Sequence, residues 1–219
     1  MLEQILTELA TTKTQLIAVS KTKPNATILE LYEHGQRTFG ENYVQELVEK
    51  HAALPADIQW HFIGHLQSNK VKYVAPFVAM IQSVDSFRLL QEIDRQAIRN
   101  QRVIKCLLQF HIAEETTKFG FDRGGCRAML DSSDFKKLQN VELCGIMGMA
   151  TFTDDKRQVR REFQVLKQIF EELKSAYFAD NQLFTEISMG MSDDYKLAIA
   201  EGSTMVRIGS LLFGKRIYS

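Results

Sequence analysis

The chain has 219 residues with 27 acidic and 27 basic side chains, a balance that leaves no electrostatic footprint for nucleic acid or an anionic membrane surface. No apolar run reaches the ~20 residues of a membrane span, and Met1-Leu2-Glu3-Gln4-Ile5-Leu6 lacks the basic start and apolar stretch of an export signal. A cytoplasmic protein with a small-molecule ligand is expected. Cys106, Cys126 and Cys144 are odd in number and contain no Cys-x-x-Cys pair. They read as reduced thiols rather than a metal or redox motif, with Cys106 and Cys144 in the core.

Short apolar runs alternate with longer amphipathic stretches along the whole length, and no linker or low-complexity tract divides them. Strands are expected over 16–20, 37–40, 60–64, 80–84, 103–110, 144–149, 185–189 and 205–209. Helices are expected over 26–34, 43–53, 86–100 and 155–177, the last carrying Val159, Phe163, Leu166, Phe170 and Leu173 at helical spacing. Eight strand-helix units predict an α/β chain forming a single (β/α)8 TIM-type barrel, residues 1–219, with no second domain. Such barrels need about 200 to 250 residues, which leaves nothing over. An open dinucleotide-binding sheet would require Gly-x-Gly-x-x-Gly after an early strand, and the loop over 20–25 contains no glycine.

The first run, Leu16-Ile17-Ala18-Val19-Ser20-Lys21-Thr22-Lys23-Pro24, places Lys21 at the carboxyl end of a buried strand. That is the end at which barrels of this kind carry their chemistry. A lysine at the lip of a hydrophobic core is poorly solvated when charged, and its neutral amine can attack a carbonyl. The competing reading is a solvated loop residue like Lys23 beside it.

A second signal comes from Met205-Val206-Arg207-Ile208-Gly209-Ser210. Val206 and Ile208 share the helix-facing side, which turns Arg207 inward, where it must meet an anion, a ligand or a buried polar partner. Gly209 and Ser210 follow the eighth strand, a place where barrels hold phosphate. In the seventh loop, Ser188, Gly190 and Ser192 precede a helix expected over 193–200. Ser192 reads equally as a phosphate ligand or as a helix cap, with Asp193 and Asp194 complementing the dipole.

A lysine after the first strand and a phosphate cradle after the seventh and eighth would together hold a phosphorylated aldehyde. Here the chain resembles the pyridoxal phosphate homeostasis proteins, the YggS/PROSC family, related to the alanine racemase barrel. The resemblance rests on Ala18-Val19-Ser20-Lys21-Thr22-Lys23, Phe39-Gly40-Glu41-Asn42-Tyr43-Val44-Gln45-Glu46, the run from Trp60 to Lys70, Ser188-Met189-Gly190-Met191-Ser192 and Val206-Arg207-Ile208-Gly209-Ser210. It implies a fold type III barrel binding pyridoxal 5'-phosphate (PLP), with Lys21 as the Schiff-base lysine. Ser188, Ser192, Gly209 and Ser210 would be phosphate ligands, Arg207 would face the pyridine nitrogen, and Asn42 would be a polar contact near the ring.

His61 and His65 lack a further ligand at metal-binding spacing, so no metal is expected. His65 reads as a hydrogen-bonded residue of the barrel mouth, Ser68 as a helix cap, and Glu114, Glu115 and Lys118 as a charged loop. An arginine against the pyridine nitrogen disfavours its protonation and weakens the electron sink that turnover needs. The resemblance therefore implies a monomeric, noncatalytic binder that buffers PLP or delivers it to PLP-dependent apo-enzymes. The alternatives are a PLP-dependent amino-acid racemase and a cofactor-independent Schiff-base lyase acting on sugar phosphates.

Overall fold

The apolar runs form eight parallel strands: β1 (Gln15–Val19), β2 (Thr38–Glu41), β3 (Gln59–Phe62), β4 (Met80–Val84), β5 (Ile104–Phe110), β6 (Val141–Gly148), β7 (Glu186–Met191) and β8 (Met205–Ile208). In the computed structural model, which describes residues 2–115 and 119–214, each strand pairs with its sequence neighbours and β8 returns to β1, closing the barrel. Lys118 lies outside the described residues. The helices are α1 (Leu2–Ala10), α2 (Asn25–Glu33), α3 (Val44–Ala53), α4 (Val71–Val74), α5 (Phe87–Arg99), α6 (Arg123–Asp131), α7 (Lys156–Tyr177), α8 (Tyr195–Ala200) and α9 (Ser210–Phe213).

The strands are apolar on both faces because both faces are buried. Outward residues such as Ala18, Phe39, Phe62, Ile81, Leu108, Ile146 and Ile187 join the helices in the main core, whereas Ile17, Met80, Leu107, Cys144, Met147 and Met205 fill the barrel interior. At the closing seam Leu16 is opposite Val206 and Ile17 opposite Arg207. There α1 lays Ile5 and Leu9 over Leu16, Val206 and Ile208. All three cysteines are free and buried, and burial raises their thiol pKa values, so they stay protonated.

Most boundaries move by one or two residues from the sequence expectation, and three differences stand out. β6 begins at Val141, because its first residues pair with β5 from Ile104 onward. The helix expected over 193–200 begins at Tyr195, residues 192–194 forming a turn. β7 runs to Met191 rather than to 189, and its pairing with β8 shifts between Ser188 and Met191. That shift places Ser188 in mid-strand, opposite Met205 and below the rim.

Candidate functional site

A cavity of about 230 Å³ opens at the carboxyl ends of the strands. Lys21, Asn42, Ser192, Arg207, Gly209 and Ser210 line it together with the apolar side chains of Val19, Ile63, Met149 and Phe152. Lys21 enters from a tight turn in which the Lys23 amide donates to the Ser20 carbonyl at 3.1 Å. Asn42 does not cap α3, whose cap residue is Tyr43; its side-chain Oδ1 is buried without a hydrogen-bond partner. Ser192 is not a helix cap either: its hydroxyl accepts the Gly209 amide at 3.3 Å. A Cβ at Gly209 would stand 3.2 Å from the Val19 carbonyl, a tight contact, so glycine eases the close approach of the ends of β1 and β8. The first amides of α9 follow directly and have no acceptor within their own helix.

Arg207 is almost completely buried and donates to Ser188 Oγ at 2.7 Å and to the Gly148 carbonyl at 3.0 Å. Burial pushes its pKa down to about 10, with Asp194 opposing the shift, so the guanidinium remains a cation at neutral pH. Because arginine only donates, the Ser188 hydroxyl must send its own proton onward, and it does so to Gln82 Oε1 at 2.6 Å. Gln82 Nε2 then stands 2.9 Å from His61 Nδ1. His61 accepts there, which places its own proton on Nε2. Burial holds its pKa down to about 3, helped by the charge of Lys105. A directed chain of hydrogen bonds thus runs from the cavity arginine into the barrel interior.

Residues 2–217 match the family described as alanine racemase, N-terminal domain. A protein of Aquifex aeolicus (strain VF5) named pyridoxal phosphate homeostasis protein is 39% identical over 205 residues, covering 93% of this chain and 88% of the relative. The chain belongs to the pyridoxal phosphate homeostasis protein family. Among solved structures, PipY of Synechococcus elongatus PCC7942, solved with PLP bound, is 39% identical. It superposes with a TM-score of 0.84, over 96% of this chain and 99% of its own. An alanine racemase of Clostridium difficile 630 shares the fold alone, at 14% identity and a TM-score of 0.71, with 98% of this chain matching 56% of that one.

Of the seven positions to which the family resemblance pointed, six line this cavity. Ser188 does not: fully buried below the rim, it spends its hydrogen on Gln82 and accepts from Arg207, whose guanidinium it helps to orient. Gln82 borders no motif residue in the chain, and His61, though it lies in the run from Trp60 to Lys70, meets Gln82 only across strands, so neither was legible in the sequence as a support of Arg207. His65 pairs with Asp85 at 2.9 Å and stacks on Phe119 at the mouth. Ser68 begins a short 3-10 turn and makes no capping bond. Glu115 accepts the Phe152 amide at 2.9 Å, and the Glu114 amide donates to Thr151, so this acidic loop steadies the segment that brings Phe152 to the cavity. Among the described residues no group of three or more His, Cys, Asp or Glu is placed to hold a metal ion, and no helix is long and apolar enough to cross a membrane.

Proposed function

We propose that this chain binds PLP in the cavity through a Schiff base on Lys21 and serves in PLP homeostasis, without appreciable turnover. The observation that carries this reading is that Lys21 and Arg207 line one cavity together with Ser192, Gly209 and Ser210. PLP, when bound, supplies an aldehyde that condenses with an amine and a ring that withdraws electrons.

The residues fit that group. Ser192, Ser210 and the first amides of α9 are donors clustered for the phosphate. Asn42 lines the same cavity, and its Oδ1 is a buried acceptor without a partner. Arg207 uses two of its nitrogens on Ser188 and Gly148, which fixes the guanidinium plane and leaves further N–H groups for the ring nitrogen. A buried cation at that atom opposes its protonation, so the site suits retention better than carbanion chemistry. Delivery to PLP-dependent apo-enzymes, a cytoplasmic location and a monomeric state complete the reading.

The test is borohydride reduction of the PLP-loaded protein followed by peptide mass mapping. The pyridoxyl group should be found on Lys21. Labelling confined to Lys23 or Lys70 would overturn the assignment, and rapid exchange of an amino acid's α-proton in deuterated water, lost in Lys21→Ala, would favour a racemase.

A further inference from the structure

Behind the turn that carries Lys21 lies a buried charged cluster that direct binding of PLP does not use. Lys50, on α3, is 5% exposed, and Glu41, at the end of β2, is fully buried. The Lys50 ammonium donates to Glu41 Oε1, Glu46 Oε1 and the Ser20 carbonyl, each at 2.7 Å. The Ser20 hydroxyl donates to Glu41 at 2.6 Å, and the Thr22 amide to Glu46 at 2.6 Å. The cluster therefore grips the residues on both sides of Lys21.

The turn needs holding. Thr22 has φ +63°, the left-handed region, which suits glycine or asparagine at this position of a turn and is unfavourable for a β-branched side chain. Such a residue persists only where its surroundings over-determine it, and it tends to do so beside functional groups. Taking an ammonium and a carboxylate out of water is itself unfavourable, and well-packed apolar side chains would serve stability as well. Burial raises the Glu41 carboxyl above its usual range despite the Lys50 ammonium and the Ser20 hydroxyl, and its Oε2 has no hydrogen-bond partner. A merely stabilising role explains little of this.

We propose that Glu41, Lys50 and Glu46 are positioning residues for Lys21: they clamp the Ser20–Lys23 turn in its strained conformation so that the Lys21 amine is presented to the cavity before PLP arrives. This rests on the reading of Lys21 as the residue that carries PLP.

The decisive variant is Glu41→Gln combined with Lys50→Met, which removes the buried pair together and leaves only the partly exposed Glu46 carboxylate. In the ligand-free protein its Thr22 amide should exchange with deuterated solvent faster than in the wild type. Borohydride-trapped incorporation of PLP at Lys21 should slow by about tenfold or more, since misplacing a reacting group by an ångström has effects of that order. Adding Thr22→Gly should restore the rate, because glycine adopts this φ without a clamp. An unchanged trapping rate in the folded variant, or no recovery with Thr22→Gly, overturns the proposal. Should the double variant not fold, Glu46→Ala and Glu46→Gln decide instead. The first removes the acceptor of the Thr22 amide and should slow trapping, the second keeps an acceptor and should not, and equal rates in the two overturn the clamp. Wild-type protein that traps PLP elsewhere than Lys21 contradicts the binding reading, not the clamp, which the Thr22 exchange still tests.

Discussion

Arg207 shows how much of the site is decided by single atoms. Its inward direction follows from its neighbours Val206 and Ile208, which are outward at the seam, and a two-residue period makes that legible in the sequence. Its partners were not legible, because Ser188, Gln82 and His61 come from three other strands. Gln82→Leu should leave the Ser188 hydroxyl and His61 Nδ1 unsatisfied and destabilise the fold by about 1 to 3 kcal/mol in urea titrations. The neutral state of His61 has a pH signature. Its pKa falls from 6.5 to about 3 on folding, so the unfolded chain takes up the proton first as pH drops. The stability this group contributes is complete above pH ~6.5 and is lost towards pH ~3, by about 1.4 kcal/mol per pH unit at the steepest. The difference between wild type and His61→Gln across that window measures it, and parallel curves would contradict it. Ser192→Ala and Ser210→Ala should each weaken PLP retention by about 1.5 to 3 kcal/mol without unfolding the barrel, each removing a hydrogen bond to an anion. Equilibrium dialysis reads this directly, and unchanged affinity in both would move the phosphate elsewhere.

At the scale of elements, β7 decides which serine meets the cavity. Read as a strand over 185–189, it would end just past Ser188 and offer that hydroxyl to the rim. As the strand Glu186–Met191 with a register shift against β8, it buries Ser188 one layer down and leaves Ser192 in the turn above. Gly190 makes the shift possible: its φ is +94°, and a Cβ there would lie 2.5 Å from Ala198 Cβ on α8. Gly190→Ala should therefore destabilise the protein by about 1 to 3 kcal/mol through overpacking, with backbone strain in addition, and displace Ser192 from Gly209. Thermal unfolding and PLP affinity should fall together, and a variant that unfolds as the wild type does would show that α8 yields at no cost. The seam between β1 and β8 was anticipated from chain order alone. The cover that α1 gives it was not, since α1 meets β8 only after the barrel has closed.

For the whole molecule, a ligand anchored across that seam ties the first strand to the last, so binding and global stability are linked. PLP at a hundred times its dissociation constant should stabilise the folded state by about 2.7 kcal/mol. Calorimetry should show the midpoint rising with PLP concentration in the wild type and much less in Lys21→Ala. An equal rise in both would mean that the stabilising PLP binds elsewhere. The amino-acid sequence by itself determined the number of strands, the closed topology, the terminal placement of Lys21 and the inward direction of Arg207, because each rests on a period of two residues or on the order of elements. Only the tertiary structure decided that Ser188 turns away from the cavity, that Gln82 and His61 support Arg207, and that Lys50 and Glu41 stand behind Lys21. Those contacts join residues 9 to 106 positions apart, and a one-residue shift in strand register or a single turn of helix would have exchanged every partner in them.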